Sequence, residues 1–232
     1  MNILIEAKGI SKQFHRDRGD SNIIESVKQI DISFQKGELV LLSGYSGSGK
    51  TTLLNMLAGI LEPTTGNIFI NGKDIYSMSD GEISLFRNQN IGNIPQGQTA
   101  IHSLTVLENI LLPFTMYQKD NVEYEKKKKL AEELLEKLQI LSLKNVMPSE
   151  LSGGELRRVC VARALIMEPT MIFADEPTSD LDEKNTEIVM ELLKNVAMAG
   201  NLVVISTHDK TIIDYATKKY IMNEGALSLD SN

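Results

Sequence analysis

Gly44-Tyr45-Ser46-Gly47-Ser48-Gly49-Lys50-Thr51 is the stretch on which the fold turns. It satisfies the phosphate-loop pattern G-x-x-x-x-G-K-[ST] at every specified position. The compact apolar run 39–43 precedes it. Residues 50–60 follow, with Leu53, Leu54, Leu57 and Ala58 at helical spacing until Gly59 and Pro63 stop them. Strand, glycine loop and helix therefore form one unit. The glycines let backbone N–H groups turn inward around phosphate oxygens, and the helix start, with Thr51 and Thr52 in its first turn, supplies the positive end of a dipole. Lys50 adds a point charge, and the Thr51 hydroxyl is suited to Mg²⁺. The glycine spacing does not fit the dinucleotide pattern G-x-G-x-x-G, so a redox cofactor is not indicated. No N-K-x-D tetrapeptide for reading guanine is present, which leaves adenine favoured by absence only.

Further along, residues 171–174 read as a central parallel strand, and Asp175-Glu176 closes it at the carboxyl end, where open α/β sheets place their ligands. Asp175 is suited to holding Mg²⁺ through water, and Glu176 to orienting or deprotonating a water that attacks a γ-phosphate. Taken alone, two acids at a strand end are equally well solubilising residues. The phosphate loop tips the reading toward chemistry.

Around these two motifs the chain alternates. Residues 1–71 read as short strands with turns at Arg18-Gly19-Asp20, Lys36-Gly37 and Asn71-Gly72, and residues 77–169 are mostly helical in pattern. The last third predicts a helix over 184–198, a strand over 202–206, a helix near 210–216 and a final strand around Tyr220. Strands alternating with helices imply a parallel sheet. Lys126 to Lys129 resemble a nucleic-acid or lipid patch, but Glu123, Glu125, Glu132 and Glu133 flank them, and a solvated helix face is the expectation.

Composition narrows the class. The 232 residues carry 24 basic and 31 acidic side chains, a formal charge of −7, which argues against a nucleic-acid partner bound by phosphate neutralisation. The single cysteine, Cys160, excludes an intramolecular disulfide. No apolar run approaches the roughly 18 to 20 residues of a membrane-spanning helix. Glu6 and Lys8 interrupt the apolar pattern of the first ten residues, unlike a signal peptide, so a cytoplasmic location is expected.

With Leu151-Ser152-Gly153-Gly154-Glu155 added, the sequence resembles the nucleotide-binding domain of ATP-binding cassette (ABC) transporters over nearly its whole length. The resemblance implies an α/β fold: a phosphate-loop NTPase (RecA-like) core sheet with an antiparallel β subdomain, together about 1–90 and 160–232, and an inserted helical subdomain of about 91–159. It implies ATP and Mg²⁺, and a head-to-tail homodimer in which each ATP lies between one chain's phosphate loop and the other's signature, Ser152, Gly153 and Gly154. Ser152 is also a good N-cap for the helix that follows. Gln96 matches the Mg²⁺-ligating glutamine that faces the membrane partner, His208 the switch histidine that positions Glu176, and Phe14 the aromatic that stacks on adenine, although Phe14 also suits a sheet core. Ser179-Asp180-Leu181-Asp182 matches the interface loop with Asp180 in place of a commoner alanine. Tyr45 replaces a frequent proline and Glu155 a frequent glutamine.

The loop 16–25 and the stretch 103–113, with Leu104-Thr105-Val106-Leu107-Glu108-Asn109, resemble the branch serving lipoprotein-releasing and macrolide- or peptide-exporting permeases. The expected protein is the ATPase subunit of a transporter whose membrane permease is a separate polypeptide, held peripherally on the cytoplasmic face. A regulatory ABC ATPase that signals through a membrane partner, in cell division or antibiotic sensing, is the alternative. A soluble ABC ATPase of DNA repair or translation is disfavoured, because such proteins carry coiled-coil insertions, zinc cysteines or two cassettes.

Overall fold

Side chains of the central strands alternate between two cores, and this divides the molecule. The computed structural model describes residues 3–15, 23–97, 99–118 and 120–230. In chain order the elements are β1 (Ile3–His15), β2 (Ile23–Gln35), β3 (Leu39–Ser43), α1 (Lys50–Leu57), β4 (Thr65–Ile70), β5 (Lys73–Asp74), α2 (Asp80–Asn90) and β6 (Ile91–Ile94). Then follow α3 (Val106–Thr115), α4 (Asn121–Lys137), α5 (Gly153–Leu165), β7 (Met171–Asp175), α6 (Glu183–Met198), β8 (Leu202–Ser206), β9 (Lys218–Asn223) and β10 (Ala226–Leu229). A six-stranded sheet has the order β10-β9-β3-β8-β7-β6, parallel except for β10, and an antiparallel sheet has the order β2-β1-β4-β5.

Val40, Leu42, Phe173 and Val204 pack with Leu53 and Leu57 of α1 and with Ile5, Ile10 and Phe34 of the antiparallel sheet. Leu39, Leu41, Ile172, Ala174, Val203 and Ile205 pack instead with Ile110, Leu135, Val159 and Leu193 from α3 to α6. Burial on both faces is why β3, β7 and β8 are apolar almost throughout. Three helices start with the same device: Ser79 with Glu82, Thr105 with Glu108, and Ser152 with Glu155 form capping boxes at α2, α3 and α5. The lysine run winds around α4, where Lys126 pairs with Glu123 at 2.6 Å and the mostly covered Lys127 with Glu168 at 2.7 Å, while Ala131, Leu134 and Leu135 are buried.

Several expectations are corrected. β1 and β2 are 13-residue strands rather than short ones, and they pair with register shifts. The turn expected at Arg18-Gly19-Asp20 lies outside the described residues. Ile91–Ile94, expected to open the helical insertion, pairs with β7 at the edge of the six-stranded sheet, and residue 159 falls inside α5. The helical segment therefore begins after β6. Gly92 makes this packing possible, since a Cβ there would stand 2.5 Å from Ala164 O of α5. Residues 210–216 form no α-helix. Asp209 Oδ1 accepts from Thr211 N and Thr211 Oγ1, both at 2.8 Å, a local bonding that competes with helix, and only a 3₁₀ turn at Ile213–Tyr215 forms. The final strand is a hairpin, β9 to β10, turned by Glu224 at φ 46° and Gly225 at φ 79°.

Candidate functional site

The loop between β3 and α1 is gripped from two sides. Gly44 has φ 146° and a Cβ there would lie 2.2 Å from Met222 O in β9. Gly49, the residue before α1, has φ 107° and a Cβ would lie 2.2 Å from Ser26 O in β2. Only glycine fits either position. Lys50 folds back over the loop, its Nζ donating to Gly44 O at 2.7 Å and Tyr45 O at 2.9 Å. Ser48 is buried, and its Oγ has no hydrogen-bond partner. Tyr45, Ser46 and Gly47 face outward, Tyr45 with 84% of its surface exposed. Thr52 points away from them and shares a 2.9 Å hydrogen bond with Ser26 Oγ, which ties α1 to β2.

Register brings the acid to this loop. β3 and β8 align Leu42 with Ser206, and β7 and β8 align Asp175 with Ser206, so three strand ends finish side by side. Thr51 Oγ1 donates to Asp175 Oδ2 at 2.6 Å, and Ser206 Oγ donates to Asp175 Oδ1. Glu176 follows with φ 50°, its N–H donating to Ser206 O at 3.0 Å, and its Oε1 lies 2.8 Å from His208 Nδ1. Gln96, exposed in the loop after β6, joins Gly44, Tyr45, Ser46, Lys50, Glu176 and His208 around one cleft of about 780 Å³.

The signature residues lie elsewhere. Ser152 caps α5, with Glu155 N–H donating to Ser152 Oγ at 3.3 Å and Ser152 Oγ donating to Glu155 Oε2 at 2.7 Å. The Ser152 hydroxyl, helped by the Ser152 backbone N–H, holds the Glu155 carboxyl below its ordinary range. Ser152, Gly153 and Gly154 line a second cavity of about 470 Å³ with Arg158, Asp180 and Leu181, and the two cavities share no lining residue. A Cβ at Gly154 would stand 3.2 Å from Asp180 O, which shows how closely the loop behind Glu176 packs on the helix start. Phe14 lies near the end of β1, 40% exposed with Lys12 Nζ 5.5 Å from its ring centroid. It is neither a core residue nor part of the cleft lining.

Two residues escaped the sequence reading. Ser206 is fully buried and holds Asp175. A hydroxyl at the end of an otherwise apolar strand was its only signal. Arg157 is buried within α5 alongside Leu156, Val159, Cys160 and Ala164. α5 is enclosed nearly all round.

Residues 27–179 match the family described as ABC transporter. This chain belongs to the ABC transporter family. It is 36% identical over 233 residues to the lipoprotein-releasing system ATP-binding protein LolD of Buchnera aphidicola subsp. Schizaphis graminum, covering 100% of this chain and 99% of that one. Among solved structures, the dimeric structure of MJ0796, described as a bacterial ABC transporter cassette, superposes with a TM-score of 0.90 at 32% identity, over 97% of this chain and 98% of that one. The same cassette in a dimeric post-hydrolysis state bound to ADP and Pi gives 0.89 at 32% identity and the same coverage. The chain is thus an ABC ATPase, the ATP-binding and ATP-hydrolysing subunit of a transporter, with the α/β cassette fold its motifs implied. No helix among the described residues is long and apolar enough to cross a membrane.

Proposed function

We propose that ATP binds in the 780 Å³ cleft with its phosphates in the loop 44–51, and that two chains close head to tail so that Ser152, Gly153 and Gly154 of each cap the ATP of the other. The observation that carries this reading is the pair of separate cavities, one built on the phosphate loop and one on the signature. Two half-sites that do not meet within one chain are complementary between two. The unpartnered, buried Ser48 Oγ and the carbonyl-bound Lys50 ammonium are groups that phosphate oxygens would engage.

Thr51, Asp175 and Gln96 offer a hydroxyl, a carboxylate and an amide, and the first two already touch. This all-oxygen set suits Mg²⁺ shared with phosphates and water. When bound there, Mg²⁺ supplies charge neutralisation at the β- and γ-phosphate oxygens. Backbone N–H groups and Lys50 bind the phosphates, Glu176 accepts the proton of the attacking water, and His208 holds the Glu176 carboxylate in place. Phe14 stacks on adenine at the outer edge. Residues from about 95 to the start of α5 make the helical subdomain.

The permease is a separate polypeptide, and the cassette sits on the cytoplasmic side of the membrane through it. The exporter branch, with a peptide, lipoprotein or antibiotic as cargo, is supported by the LolD relative and by residues 103–113. The other stretch that suggested it, 16–25, lies mostly outside the described residues. The test is Glu176→Gln. Its ATP binding should persist, hydrolysis should fall by about 10² to 10⁴, and size-exclusion chromatography with ATP should show a trapped dimer. Wild-type turnover in that variant, or a monomer under all conditions, would overturn the reading. Cargo movement in vesicles holding the co-purified permease distinguishes transport from signalling.

A further inference from the structure

Arg157 is the largest of the fully enclosed side chains among the described residues, 1% exposed, and its hydrogen bonds go to neutral acceptors. Nη1 donates to Pro95 O at 2.8 Å, and Nη2 donates to Gln96 O and to Ser179 Oγ, each at 2.6 Å. Its Nε has no partner. A buried guanidinium with neutral partners and an orphaned N–H is a costly way to fill a core, and an apolar side chain would fill it more stably. What Arg157 does accomplish is to join three segments of the chain through a single side chain.

The first segment is α5, whose amino end is Ser152-Gly153-Gly154. The second is the loop carrying Gln96. Arg163, further along α5, holds that loop again by donating to Thr99 O and, at 2.7 Å, to Thr99 Oγ1. The third is the loop behind Glu176, in which Ser179 N–H donates to Glu176 O at 3.1 Å. Gln96 and Glu176 both line the ATP cleft, whereas the amino end of α5 lines the other cavity. One planar fork therefore touches the Gln96 wall of the chain's own nucleotide site, the residue hydrogen-bonded to its Glu176 wall, and the helix that it presents to a partner.

We propose that Arg157 is a positioning residue that makes the signature offered by each chain depend on the nucleotide held in that chain's own phosphate loop. The inference rests on the head-to-tail reading above. A rigid guanidinium serves its three acceptors at one spacing only. When the backbone at Gln96 or Ser179 shifts around bound nucleotide, the fork follows, and in a close-packed interior α5 turns with it. The second ATP is then gripped by a signature already set by the first, which couples the two sites of the dimer.

The experiment measures the rate of hydrolysis by the full-length protein against ATP concentration for wild type, Arg157→Lys, Arg157→Gln and Ser179→Ala. With two coupled sites the wild-type Hill coefficient rises toward its limit of about 2. All three variants should fall to about 1 with a drop of roughly 10-fold or more in kcat, while N-methylanthraniloyl-ATP binds each monomer within about 2-fold of wild type. Ser179→Ala removes one acceptor and leaves the guanidinium in place, so it tests the link even where Arg157→Gln fails to fold. A purely structural arginine would lower the melting temperature and leave the Hill coefficient alone. Folded Ser179→Ala and Arg157→Lys proteins with the wild-type coefficient, or a wild type that is not cooperative while its Glu176→Gln variant still dimerises, would overturn the proposal. Absence of any ATP-driven dimer would instead sink the head-to-tail reading.

Discussion

His208 Nδ1 donates a hydrogen bond to Glu176 Oε1 at 2.8 Å, so the loop after β8 steers the carboxylate that follows β7. The histidine side chain is 71% exposed and the glutamate 18%, which makes the pair a bridge from solvent to the cleft and not a buried ion pair. The bond fixes where the carboxylate points, and under the proposed hydrolysis that direction matters, because the carboxylate would have to meet one particular water. His208→Ala should lower kcat by about 10²-fold with ATP affinity little changed. Single-turnover hydrolysis beside an ATP-binding titration checks the split, and equal losses in both would assign His208 to binding.

Asp175 is 6% exposed and receives hydroxyl hydrogens from Thr51 and Ser206 on its two oxygens. Asp175→Asn keeps the shape and removes the charge. The expected outcome is a loss of hydrolysis of about 10²-fold or more, and a rise of roughly 10-fold in the Mg²⁺ concentration giving half-maximal rate. A Mg²⁺ titration at saturating ATP reads it, and an unchanged midpoint would remove Asp175 from the metal site.

Phe14 contributes nothing to the core, so its truncation should leave the melting temperature in place. If its ring stacks on adenine, Phe14→Ala loses about 1 kcal/mol of aromatic contact, and KM for ATP rises about 5-fold at constant kcat. Phe14→Tyr should restore it. An unaltered KM in the alanine variant would show that the ring serves only β1.

Gly49 and Gly47 separate two costs of the phosphate loop. At Gly47, φ is 78° and a Cβ would meet nothing within 4 Å, whereas at Gly49 φ is 107° and a Cβ would collide with Ser26 O at 2.2 Å. Gly47→Ala carries backbone strain alone, about 1 to 2 kcal/mol. Gly49→Ala adds displacement of β2 and should lose clearly more. Urea unfolding of both proteins gives the difference, and equal losses would mean that β2 yields freely.

Glu155 gives a pH dependence whose sign follows from its hydrogen bonds. Ser152 stabilises the ionised carboxylate, so the folded pKa lies below the unfolded one. The stability it contributes is complete above the unfolded value of about 4.3 and is lost as pH falls through the folded value. Glu82 and Glu108, depressed by Ser79 and Thr105 in the same way, act in the same direction. The melting temperature should fall with acidification below about pH 4.5, and Glu155→Gln should fall less steeply. Parallel curves for the two proteins would show that the Ser152 cap is already lost in solution.

Much of the site was legible because its parts are local. The loop 44–51, the pair Asp175-Glu176 and the cap at Ser152 each depend on residues within a few positions of one another, and their chemistry is written in residue type and spacing. Other features were not legible because they depend on distant partners. Ile91-Gly92-Asn93-Ile94 is too short and mixed to read as a strand until β7 pairs with it. The 210–216 segment looked helical in pattern, yet the Asp209 side chain captures its first turn. Arg157 reads as one of several arginines on a helix, and only the enclosing loops bury it.

Residue type and spacing alone were enough to mark a phosphate-binding loop and to set this chain among the ABC cassettes, because backbone freedom at glycines, one lysine and a strand-end acid are properties of short segments. Tertiary structure alone decided which segments meet. The parallel register that sets Asp175 beside Ser206, the grip of β2 and β9 on the loop, and the separation of the signature from the cleft all arise from long-range pairing and packing. The physical reason is that these contacts join residues far apart in the chain: a one-residue shift in the β7–β8 register would part Asp175 from Ser206, and no local pattern of residues specifies that register.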